Sequence, residues 1–133
     1  MTDRLCRAGP GRILVAEDQP EIGEIIGAYL GRAGFDVDRV RDGEHARLAL
    51  MRQNYDLVFL DLRLPRLDGA ELLSHLPDGT RPKLALMSAQ MDECLQFLNA
   101  GQIEAVLHKP FDPNLAVALA LRLLGPPSPV NAG

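Results

Sequence analysis

Short apolar runs alternate along this chain with longer segments in which apolar residues recur every three to four positions. Runs of the first kind at 13–16, 36–40, 57–60, 83–87 and 105–107 predict strands. After the first of them, "PEIGEIIGAYLGRAGF" sets Ile22, Ile25, Ile26, Tyr29 and Leu30 on one helical face. That segment closes at Gly34, the residue type that ends helices by accepting a left-handed backbone. "DGEHARLALMRQN" repeats the pattern with Ala46, Leu48, Ala49 and Met51 and opens at Asp42, a good capping residue. A short third helix is predicted at 70–76, a fourth over "DECLQFLNAG" and a fifth over 114–124.

Five strands alternating with five helices imply parallel strands joined by right-handed crossovers, with helices on both faces of the sheet. Unbroken apolar strands fit that burial. The expected architecture is α/β, a flavodoxin-like doubly wound (βα)5 fold whose five-stranded parallel sheet runs in the order 2-1-3-4-5. In such sheets the functional crevice lies beyond the carboxyl ends of the strands, where the strand order reverses. The residues that follow each run therefore carry the candidate chemistry: Glu17 and Asp18, Asp61, Ser88, then His108 and Lys109.

The chain has 133 residues, the size of one domain, with 47% hydrophobic and 24% charged residues, the balance of a folded protein. Its net charge of −4 and its lack of any basic run argue against a nucleic-acid surface. Cys6 and Cys94 form no spacing motif, which points away from a disulfide scaffold or metal knuckle and towards a cytoplasmic setting. The longest apolar stretch, 115–124, is broken by Arg122 and is shorter than the roughly 18 residues of a membrane span. "MTDRLCRAGPGR" lacks the apolar core of a secretory signal. The expected organisation is a flexible leader at 1–10, one domain at 11–124, and a Pro-rich tail or linker stub at 125–133.

Three carboxylates sharing one crevice repel by roughly 4 kcal/mol per close pair at an effective dielectric of about 20, so a positive group must balance them. An all-oxygen set suits a hard cation such as Mg²⁺, or Mn²⁺. A carboxylate such as Asp61 can attack a phosphoryl group and form an aspartyl phosphate. Lys109 and Ser88 would then meet the phosphoryl oxygens by charge and by hydrogen bond. Each residue alone has a plainer reading: Asp18 or Ser88 as a helix cap, Lys109 as a solvated lysine. All five at strand ends together favour a functional site. Asp68 and Gly69 read as turn chemistry, and His45, His75 and His108 lack metal-ligand spacing.

"ILVAEDQPE", "DLVFLDLRLPRLDG", "LALMSA" and "AVLHKPF" together resemble the four signature blocks of the response-regulator receiver domain of two-component signalling, over about 11–124. The resemblance implies that Asp61 is the phosphoacceptor and that Asp18 and Asp61 bind Mg²⁺ directly. It adds the backbone carbonyl of Arg63 as a third protein ligand and Glu17 acting through a bound water, with Ser88 and Lys109 as the phosphate-binding switch pair. The bond between Lys109 and Pro110 is expected to be cis. The implied donor is a sensor histidine kinase or a histidine phosphotransfer protein, and a homodimer through the fourth and fifth helices is expected. Either a downstream protein partner or a missing output domain would carry the response, with no nucleic acid bound by this domain and no membrane.

Such a protein is not an enzyme in the usual sense, since it catalyses only its own phosphorylation and dephosphorylation. Two alternatives stand beside it. A phosphohydrolase of the haloacid-dehalogenase type needs an acid two residues after its nucleophile, where this chain has Arg63. A pseudo-receiver, a pure interaction module, usually lacks part of the acid, hydroxyl and lysine set that is complete here. Many receivers carry Tyr or Phe where this chain has Val106, so movement of the Ser88 loop and the fourth helix is expected to report phosphorylation instead. Arg63 is expected at the crevice mouth, where a cation bears on the lifetime of the phosphoryl group. "LAVALALRLL" has nine apolar residues in ten, and such a helix expects cover on more than one side.

Overall fold

The computed structural model describes residues 11–66, 71–72, 82–90, 92 and 103–127. Five strands form one parallel sheet: β1 (Arg12–Ala16), β2 (Asp36–Val40), β3 (Leu57–Asp61), β4 (Lys83–Ser88) and β5 (Ile103–His108). Their order, β2-β1-β3-β4-β5, is the predicted flavodoxin-like one and makes β3 the central strand. Three helices are described in full: α1 (Pro20–Arg32), α2 (Gly43–Arg52) and α3 (Pro113–Leu124). The expected helices at 70–76 and 92–101, with His75, Cys94, Asp68, Gly69, the leader and most of the tail, lie outside or largely outside the described residues.

Alternation along the strands divides the core into two layers. Ile13, Val15, Leu57, Phe59, Ala85 and Met87 face one side, under Ile26 and Leu30 of α1 and Ala116, Ala120 and Leu124 of α3. Leu14, Ala16, Val58, Leu60, Leu84 and Leu86 face the other, under Ala46 of α2 and Leu72. Buried on both faces, β1, β3 and β4 are apolar at nearly every position, as parallel strands with covered faces require. The edge strands differ from that expectation: β2 reads Asp-Val-Asp-Arg-Val, and β5 is mostly half-buried, with Glu104 and His108 exposed and Leu107 buried. Charge on an edge strand discourages pairing with a further chain.

Two expected core residues are on the surface. Ile25 is 47% exposed because the buried line of α1 runs through Gly23, Ile26 and Leu30, about one turn apart. Met51 is 69% exposed, and Leu50 joins Ala46 and Ala49 against the sheet, keeping the three-to-four spacing that Met51 breaks. The ends predicted at Gly34 and Asp42 are found, and the last helix has a cap that was not predicted. Ala33 closes α1 and Gly34 follows with φ 103°, while Asp42 caps α2 and Asp112, ahead of Pro113, caps α3.

The last helix buries Ala116, Ala120 and Leu124 and leaves Leu115 and Leu121 exposed. The chain beyond it turns back, and Pro127 meets the α1–β2 turn so closely that a Cβ on Gly34 would lie 2.8 Å from Pro127 Cγ. Pro127 also stands beside Gly11, where a Cβ would lie 3.9 Å from Pro127 Cβ. No helix among the described residues is long and apolar enough to cross a membrane.

Candidate functional site

Asp61 is the last residue of the central strand, and only 5% of it is exposed. The ladder to β4 continues one step past it, through Leu62 N–H donating to the Met87 carbonyl at 3.2 Å. The chain then turns, and Arg63 N–H donates back to Asp61 Oδ1 at 2.9 Å. The other oxygen, Oδ2, accepts from Lys109 Nζ at 2.8 Å. Lys109 is placed by its own N–H, which donates to the Ser88 carbonyl at 2.8 Å, and it is followed by a cis bond to Pro110 as the resemblance implied.

Glu17 follows β1 directly and its side chain is fully buried. Its N–H donates to the Val40 carbonyl and its Oε2 accepts from Gln19 N–H at 3.2 Å. Lys109 Nζ stands 2.7 Å from the remaining oxygen, Oε1, out of line for a hydrogen bond, so that contact is an ion pair. Burial pushes the Glu17 carboxyl up to about 7, and the neighbouring Asp61 charge adds to this against the opposing pull of Lys109 and the Gln19 N–H. Burial also works against the charge of Lys109, but its hydrogen bond to Asp61 and its close contact with Glu17 outweigh it and hold its pKa above the ordinary lysine value.

Asp18, next in sequence, is partly exposed at the rim. Oxygens of Glu17, Asp18 and Asp61 lie within 4.8 Å of one another. Asp18 and Asp61 line a crevice of about 500 Å³ whose walls also include Gln19, Arg63, Gln90 and Lys109. The topology therefore brings together Glu17, Asp18, Asp61, Arg63 and Lys109 from three different loops. Ser88 ends β4 beside His108, buried, with its hydroxyl donating to the Gln90 carbonyl and accepting from Gln90 N–H, both at 2.9 Å. Sequence reasoning passed over Gln19 and Gln90; the available signal was position, since Gln90 follows the end of β4 by two residues as Arg63 follows the end of β3. Val106 is half-buried in β5 and packs at the edge of the second core layer. His45 and His108 are surface residues.

Residues 13–120 match the family described as the response regulator receiver domain. The chain belongs to that family. This receiver is 32% identical over 107 residues to the response regulator GtcR of Aneurinibacillus migulanus, a match covering 80% of this chain and 44% of that protein. Among solved structures it resembles the receiver domain of the Francisella response regulator 1452, with a TM-score of 0.77 and 26% identity over 85% of this chain and 95% of that one. It also resembles the receiver domain of sensor histidine kinase PA1611 from Pseudomonas aeruginosa PAO1, which holds a magnesium ion coordinated in its active site cleft. There the TM-score is 0.72 and the identity 33%, over 86% of this chain and 97% of that one. The receiver spans less than half the length of the curated relatives it matches.

Proposed function

We propose that Asp61 accepts a phosphoryl group from the phosphohistidine of a sensor histidine kinase or histidine phosphotransfer protein, in a reaction that requires Mg²⁺ or Mn²⁺. The observation that carries this reading is the placement of Asp61 at the central strand end, bonded to Lys109 and within 4.8 Å of two further carboxylates. Such a set fits Mg²⁺, which takes hard oxygen ligands and retains waters and phosphate oxygens. Asp18 and Asp61 would hold it directly with the Arg63 carbonyl, and Glu17 through water. Bound there, it would neutralise charge on the phosphoryl oxygens. The magnesium in the PA1611 receiver cleft supports the assignment.

In the transfer, an Asp61 carboxylate oxygen forms a bond to phosphorus as the bond from phosphorus to the donor imidazole nitrogen breaks, and the imidazole leaves. Lys109 Nζ, already 2.8 Å from Asp61 Oδ2, follows the charge onto the phosphoryl oxygens. Ser88 Oγ joins by releasing the Gln90 carbonyl, which moves the loop after β4. That rearrangement is the signal passed to a downstream protein or an attached output domain, and the exposed Leu115 and Leu121 on α3 suit a homodimer contact. Val106 leaves the usual aromatic position without a ring, so the Ser88 loop carries the switch.

Incubation with Mg²⁺ and acetyl phosphate should add one phosphoryl group by mass. Absence of the adduct, or an adduct that persists in Asp61→Asn, refutes the assignment.

A further inference from the structure

The loop that carries Arg63 is anchored at both ends. At its start Arg63 N–H is bonded to Asp61 itself. At its far end the Pro65 carbonyl accepts from Gly43 N–H at 3.0 Å, at the first turn of α2. The next residue, Arg66, has φ 75°, in the left-handed region that glycine adopts freely and other residues enter only when their surroundings hold them there. An arginine stands at that position, and its Nε lies 3.7 Å from Asp42 Oδ2. Asp42 is mostly buried and already committed on the α2 side, accepting from His45 N–H at 2.8 Å with His45 Nδ1 2.9 Å from both of its oxygens. One carboxylate thus joins the start of α2 to the end of the acceptor loop.

We propose that Asp42 is a positioning residue for the acceptor site: acting through Arg66 and the Gly43–Pro65 bond, it holds the loop so that the Arg63 carbonyl stands where the metal is bound. This rests on the reading of Arg63 as a metal ligand given above. Loss of the outer anchor lets the Arg66 backbone relax out of the left-handed region and loosens the loop that carries the Arg63 carbonyl. Metal binding would then have to restore the loop as well as neutralise the carboxylates, and affinity falls.

The test is Mg²⁺ affinity of the whole chain, read from amide chemical shifts during titration, for wild type, Asp42→Asn, Arg66→Ala, Arg66→Lys and the Asp42→Asn/Arg66→Ala double variant. Asparagine caps a helix as well as aspartate, so Asp42→Asn keeps α2 and removes only the charge. Each of Asp42→Asn and Arg66→Ala should weaken Mg²⁺ binding about two- to fivefold, the range of a partly exposed ion pair. The double variant should be no weaker than either single one, Arg66→Lys should recover most of the loss, and the loss of affinity should not track the thermal midpoint across the set. Wild-type affinity in both single variants overturns the proposal. So does weakening that adds in the double variant and follows a falling thermal midpoint, because that marks general destabilisation. A wild-type chain that binds no Mg²⁺ removes the metal reading and this proposal together, an outcome visible before any variant is made.

Discussion

The buried Glu17 carboxyl should make this receiver less stable as the pH rises, the reverse of the usual carboxylate effect. In the unfolded chain the group titrates near 4.5, and in the folded one near 7. Between those values the folded state holds a proton that the unfolded state has released, so stability falls as pH climbs through that window. A carboxyl displaced that far takes about 3 kcal/mol from folding above pH 7 relative to an unperturbed one. That is a sizeable part of the total stability of a domain this size, which is about 5–15 kcal/mol. Urea unfolding followed by far-UV circular dichroism, in EDTA at pH 5 and pH 8, should show this loss in the wild type. Glu17→Gln should remove most of the pH dependence and be the more stable protein at pH 8. Excess Mg²⁺ should shrink the wild-type loss by favouring the ionised form. Identical pH slopes in wild type and Glu17→Gln would refute the reasoning, because the burial of Glu17 would then impose no differential cost on its charge.

Lys109→Met leaves Glu17 and Asp61 buried without their cation and should cost about 3–5 kcal/mol by urea unfolding in EDTA, less in excess Mg²⁺; a loss below about 1 kcal/mol would show the pair to behave as a surface one. Asp42→Ala should cost about 1 kcal/mol through the lost helix cap. Its carboxyl is held below 3.8, first by the His45 N–H, so the charged contribution is complete above pH 4 and fades as the pH falls through the folded value. The gap between wild type and Asp42→Ala in acid unfolding should accordingly narrow below pH 4, and a constant gap would contradict it. Arg63→Ala should shorten the life of the aspartyl phosphate by about twofold or more, the scale of one exposed charge beside the crevice, and an unchanged dephosphorylation rate would exclude the effect.

Much of this was legible in the residues because burial on both faces writes itself plainly. β1, β3 and β4 are apolar runs that end where the core ends, and the charged residues just beyond them mark the crevice. The predicted order made β2 and β5 the edges, but the expectation of unbroken apolar strands was not adjusted for them, and their charged and half-exposed positions are what the structure adds. Ile25 and Met51 were misplaced for a related reason. Helical spacing states which residues share a face, but the width of the buried stripe depends on what packs against it. The bond from Ser88 to Gln90 and the reach of Arg66 to Asp42 were not legible at all. They depend on loop dihedrals, above all the left-handed Arg66, which nothing in its residue type announces.

The strand order also explains why the site needs a small residue at the end of β4. Lys109 follows β5, and Asp61 ends β3, so the two stand two strand spacings apart, about 9 to 10 Å, with β4 between them. A lysine can cover that distance only if nothing bulky closes β4 at the level of the crevice. Ser88 and Ala89 meet that condition, and the Ser88 carbonyl draws the Lys109 backbone toward β4 through a 2.8 Å hydrogen bond. The same serine thus has two features: its size leaves a path for the ammonium, and its hydroxyl is bonded to Gln90, the bond that the proposed transfer would exchange for one to a phosphoryl oxygen. The carboxylate at the end of the most hydrophobic strand is sustained by a cation that crosses a whole strand to reach it.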